Sequence, residues 1–100
     1  MEIYKEKWET AKGNEATSIE ANFDNSGNLV ISGADIGPSV ETYWGDIDYE
    51  YFLSVYKKDM EKLFLLLLKE SFNSKEALDF TKIKKICEAN DIKALFDHWI

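Results

Sequence analysis

One hundred residues, 45% hydrophobic and 14% aromatic with one proline and five glycines, suffice for one domain (1–100) with a real core and exclude both a two-domain chain and a disordered one. Nineteen acidic residues face twelve basic ones, all lysine, for a net charge of −7; such a surface repels a phosphate backbone, and without arginine the bidentate contacts to phosphate and guanine are missing, which argues against direct nucleic-acid binding. Cys87 is the only cysteine and His98 the only histidine, which excludes an intrachain disulfide, a zinc ribbon and a multi-histidine metal site.

Met1 to Thr10 reads as a strand, with Tyr4 and Trp8 opposing Ile3 and many charges between, which suits a sheet edge. Thr17 to Asp24 alternates strictly, Thr17, Ile19, Ala21 and Phe23 on one side and Ser18, Glu20, Asn22 and Asp24 on the other, as a half-buried antiparallel strand requires. Asn25-Ser26-Gly27-Asn28 supplies a turn, and Leu29 to Gly33 returns as the second arm of a hairpin. A connection of about fifteen residues follows, Ala34 to Asp48, long enough to suggest function. Tyr49 to Tyr56 is rich in β-branched and aromatic residues and predicts a fourth strand.

After Tyr56 the period changes. Met60, Leu63, Phe64, Leu67 and Leu68 fall at helical spacing, and Leu65 and Leu66 widen the apolar face, so this helix is expected to be largely buried. Asn73 with Glu76 three residues on resembles a helix start, and Ala77, Phe80, Ile83, Ile86 and Cys87 mark a second helical region with a break near Thr81, closed by Asn90. Asp91 to Ile100 alternates through Ile92, Ala94, Phe96 and His98 and predicts a terminal strand. The expected class is α+β: an antiparallel sheet of four to five strands with two to three helices on one face and the Leu63 to Leu68 run in the core. The start of the chain has no apolar targeting region and the longest apolar run is too short for a bilayer, so a cytoplasmic protein without a membrane partner is expected.

Chemistry-bearing residues are sparse. Cys87 lies on an apolar helix face and reads as core, and His98 between Asp97 and Trp99 reads as structural, so no catalytic residue is assigned. Asp35, Glu41, Asp46, Asp48 and Glu50 match no calcium-loop spacing, and no metal or other cofactor is implied. Charge is unevenly distributed: residues 1–56 hold eleven acids against three lysines, residues 57–100 eight against nine. Tyr43, Trp44, Tyr49 and Tyr51 are interleaved with Glu41, Asp46, Asp48 and Glu50. Such a mixture is either a protein-binding hot spot aimed at a basic surface or a solvated acidic edge whose aromatic residues pack inward. On the first reading the partner-binding residues are Asp35, Glu41, Tyr43, Trp44, Asp46, Asp48 and Glu50.

The run from Gly27 to Glu41, with Asp35-Ile36-Gly37-Pro38 within it, then Gly45, Asp48-Tyr49-Glu50-Tyr51 with Leu53 and Val55, and the ending Phe96-Asp97-His98-Trp99, resembles a group of small uncharacterised bacterial proteins. These are similar to the immunity proteins encoded beside bacterial toxins, including those of contact-dependent growth inhibition and other polymorphic toxin systems. The resemblance implies a non-enzymatic inhibitor that binds a basic, nuclease-type toxin domain and blocks its substrate-binding surface. A small metal-assisted or acid–base enzyme using His98, and an adaptor subunit of another complex, are the alternatives.

Overall fold

The computed structural model describes residues 1–45 and 48–99 and, of Trp44, the backbone alone. Among the described residues five strands form one antiparallel meander in chain order: β1 (Glu2–Thr10), β2 (Gly13–Phe23), β3 (Leu29–Ile36), β4 (Asp48–Val55) and β5 (Ala94–Trp99). The same residues form three α-helices, α1 (Pro38–Trp44), α2 (Met60–Asn73) and α3 (Phe80–Ala89), with a short 3-10 turn at Lys57–Asp59 before α2. The expected α+β architecture is therefore the observed one, and the highly charged β1 occupies an edge with every residue exposed.

Local chemistry explains the turns. Between β2 and β3 the Asp24 carboxylate accepts hydrogen bonds from the Ser26 and Asn28 backbone N–H groups at 2.9 and 3.0 Å, an Asx-type closure. The Asn28 side chain in turn accepts from Lys57 N–H at 3.0 Å, tying this turn to the junction of β4 and α2.

The core lies between β3–β5 and the helices. Val55, Leu63, Cys87 and Ile92 form its fully buried cluster, with Leu29, Met60, Leu67 and Ile83 packed around it. Cys87 has no exposure, in keeping with its apolar helix face, and burial together with the nearby Asp59 and Glu88 carboxylates pushes its thiol above the ordinary range.

Three expectations are corrected. Only half of the Leu63 to Leu68 run is core: Leu63 is buried and Leu66 and Leu67 pack against the core cluster, while Phe64 and Leu65 are 62% and 64% exposed and Leu68 is 41% exposed. One sheet face cannot cover a helix that is apolar all round, so half of the run faces outward. The second helical region does not start near Asn73, which is the last residue of α2. It starts at Phe80, because the Asp79 side chain accepts from Lys82 N–H at 2.7 Å as its N-cap. Ala77 therefore precedes α3, and Thr81 belongs to its first turn with no break there.

In the long connection from Ala34 to Asp48, residues 34–45 are also more ordered than a loop. Strand β3 runs on to Ile36, and α1 follows, with Gly37 as N-cap, Pro38 in its first turn and Gly45 closing it in the left-handed conformation at φ 80°. Proline at the start and glycine at the end are the favoured bracket of a short helix. Buried Glu15 of β2 holds the helix start by accepting from Ser39 N–H at 3.0 Å.

Candidate partner-binding surface

Strand pairing decides where each predicted binding residue goes, because alternate residues of every strand face opposite sides of the sheet. Asp35, Tyr49 and Tyr51 fall on the helix-covered side; Asp48 and Glu50 fall on the open side. Glu41 and Tyr43 lie exposed on α1, Tyr43 at 83%. Trp44 is the last residue of α1, with no side-chain position described, and Asp46 lies outside the described residues. The five whose side chains are described, Asp35, Glu41, Tyr43, Asp48 and Glu50, thus divide among two sheet faces and a helix and do not make one continuous patch.

On the covered side Asp35 is an internal acceptor. Its Oδ1 takes hydrogen bonds from the Thr17 hydroxyl and, at 3.3 Å, from the Tyr51 hydroxyl. The Tyr51 ring lies across Gly33, its direct partner on β3, where a side chain would leave no room for it. It also meets Phe80 edge-on at 4.7 Å between centroids. Tyr49, Phe96 and His98 extend this aromatic cluster, and the Lys84 ammonium sits 4.0 Å above the Phe96 ring. A shallow pocket of about 280 Å³ opens between Asp35, Tyr49, Tyr51, Phe80, Lys84 and Phe96.

Burial first, and then the charge and hydrogen bond of Asp35, hold the Tyr51 phenol well above its ordinary pKa; burial and Asp35 raise Tyr49 in the same direction. A phenol so held keeps its proton near neutrality. It acts as a donor that fixes Asp35, and it is poorly suited to serve as a base. Among the described residues no three of the His, Cys, Asp and Glu side chains come together to hold a metal ion.

The open side has a different character. Reading across the ladder, one row runs Glu20, Ser32, Phe52, Asp97, and the next runs Ser18, Ala34, Glu50, Trp99. The small Ser18, Ser32 and Ala34 leave a furrow of about 190 Å³ between the carboxylates of Glu20 and Glu50, walled by Phe52. Trp99 packs edge-on against Phe52 at 5.8 Å and is still 63% exposed, with Leu95 and Ile36 also exposed nearby. Glu20 and Glu50 form no ion pair among the described residues. Lysines on this side, Lys5 and Lys7, belong to the edge strand β1.

No protein-family model, curated protein or solved structure matches the chain.

Five residues of the open face, Glu20, Phe52, Leu95, Asp97 and Trp99, were not among those singled out from the sequence. Their alternation was visible in each strand separately. What the sequence did not supply was the neighbour relation of β4 to β5, which places Asp97 opposite Phe52 and Trp99 opposite Glu50. Four carboxylates, from Glu20, Asp48, Glu50 and Asp97, thereby share a face with a partly exposed aromatic pair.

Proposed function

We propose that this protein is an immunity protein: a non-enzymatic inhibitor that covers the substrate-binding surface of a cognate basic toxin domain, of nuclease type. The observation that carries the reading is the open sheet face, where Glu20, Asp48, Glu50 and Asp97 surround Phe52 and Trp99. Exposed aromatic residues supply contact area that gains from desolvation, and carboxylates around them select a lysine- or arginine-rich surface and speed encounter with it. A nuclease must be basic to hold its substrate, so an acidic face docked there excludes nucleic acid by occupying its site. Of the residues singled out from the sequence, Asp48 and Glu50 belong to this face, and Glu41 and Tyr43 stand on α1, which packs against β2, β3 and β4. Asp35 serves the fold by anchoring Thr17 and Tyr51. The resemblance to toxin-associated immunity proteins supports the same reading, as does the net charge of −7. A cytoplasmic location belongs to the proposal, since an immunity protein against a nuclease acts where the cell's own nucleic acid is.

The test is inhibition. A basic nuclease-type toxin domain, sought first in the reading frames beside this one, is purified, its nuclease activity is measured, and this protein is titrated in. Stoichiometric loss of activity, relieved by Glu50→Lys together with Asp97→Lys, is expected. An unaffected nuclease, or inhibition that the two reversals leave unchanged, overturns the proposal.

A further inference from the structure

Helix α2 carries a second apolar face that its own fold does not use. Leu63 and Leu67 turn to the core, and on the opposite side Phe64, Leu65, Leu68 and Phe72 are 62%, 64%, 41% and 86% exposed. Phe64, Leu68 and Phe72 follow one another at four-residue steps and form a single stripe along the helix. Isolated exposed apolar residues are ordinary; a contiguous stripe of two phenylalanines and two leucines marks an interaction surface.

The order of residues along the stripe says what covers it. It is palindromic about Leu68: in an antiparallel pairing of two α2 helices on a two-fold axis at Leu68, Leu68 meets its own copy. Phe64 then faces Phe72 of the second copy and Leu65 faces the small Ser71. Self-complementarity of this kind is what an isologous interface demands. Charge distribution agrees, because α2 carries two acids and two lysines and the excess acidity lies in residues 1–56. Two copies therefore meet through their neutral part and keep their acidic sheet faces apart. We infer that the Phe64–Leu68–Phe72 face of α2 is a homodimer interface, with a second copy of this chain as its occupant.

Sedimentation velocity on the full chain from about 5 to about 500 µM tests this, since a contact of roughly one helix pair is expected to be weak. Wild type should pass from monomer to dimer across the range, and Leu68→Glu should remain monomeric. Because a variant in an apolar stripe can disturb folding, a charge-pair rescue at its two most exposed rings gives the independent arm. Phe64→Glu and Phe72→Lys, at positions 62% and 86% exposed, should each weaken association about tenfold or more, and the two together, which set opposite charges across the pairing twice, should restore it. A wild type that stays monomeric throughout overturns the inference, whether or not it binds anionic lipid vesicles, which would assign the stripe to a membrane surface instead. Single variants at Phe64 and Phe72 that leave dimerisation unchanged overturn it as well.

Discussion

Replacing Gly33 by alanine should destabilise the protein, and the same replacement should stabilise it once Tyr51 is gone. A Cβ at Gly33 would fall inside the contact radius of Tyr51 Cε2 and Cζ and lie 2.6 Å from the hydroxyl oxygen. The ring must therefore move. Moving it forfeits a hydrogen bond to an ionised acceptor, worth ~1.5–3 kcal/mol and here near the low end because it is 3.3 Å long and only partly buried. It also forfeits the edge-on contact with Phe80, ~0.5–1.5 kcal/mol. Against this stands a gain of ~0.5–1 kcal/mol from removing glycine inside a strand. The net loss is about 1–3 kcal/mol, the range typical of overpacking. In a Tyr51→Ala background only the gain remains, and the sign reverses. Urea denaturation followed by far-ultraviolet circular dichroism on wild type, both single variants and the double variant measures the cycle. An equal loss from Gly33→Ala in both backgrounds would refute the close packing of Tyr51 on Gly33.

Other consequences follow from particular residues. The unfolded chain loses the Tyr51 proton near pH 10 while the native state holds it higher; stability should thus be complete below pH 10 and fall as pH rises past it, less steeply in Tyr51→Phe, as denaturation at successive alkaline pH values will tell. Leu63→Ala should cost about 2–5 kcal/mol, because Leu63 is 2% exposed in the core. At a dilution where self-association is negligible, Phe72→Ala should stay within about 0.5 kcal/mol of wild type, since that ring is 86% exposed; thermal or chemical melts compare the two. Asp79→Ala should remove the N-cap of α3 and cost about 0.5–2 kcal/mol in the same melts.

Much of the fold was legible because its signals are local. The Thr17 to Asp24 alternation, the Asn25 to Asn28 turn and the aromatic Tyr49 to Tyr56 run each specify a strand or turn without help from the rest of the chain, and all are observed. Helix α1 was legible too, in Gly37-Pro38 and Gly45, but three turn-forming residues in nine also describe a loop, and burial of Glu15 against Ser39 N–H decides between them. The Leu63 to Leu68 run misleads for a different reason. Six apolar residues in succession reveal that a helix is apolar on every side, and leave open which side its own sheet covers. The open face is less legible still. Acidic and aromatic residues were noticed where they are close in sequence, from Glu41 to Tyr51, whereas the surface is assembled across strands from Glu20, Glu50, Phe52, Asp97 and Trp99. Asp35 illustrates the reverse: it sits among those acids in sequence, yet one residue of strand parity separates it from Ala34 and turns it to Thr17 and Tyr51 on the other side.

The central claim is that the acidic open face of the sheet docks on a basic toxin domain, and the most direct measurement is the rate of that encounter. Stopped-flow association with the basic toxin domain proposed as partner compares wild type with the triple variant Glu20→Gln, Glu50→Gln, Asp97→Asn at low and high ionic strength. Removing three carboxylates from one face weakens steering without emptying the contact, so association at low salt should slow by about tenfold or more, and the two proteins should converge near 1 M salt, where the Debye length is about 3 Å. Equal association rates at low salt, with both proteins folded, would contradict the account.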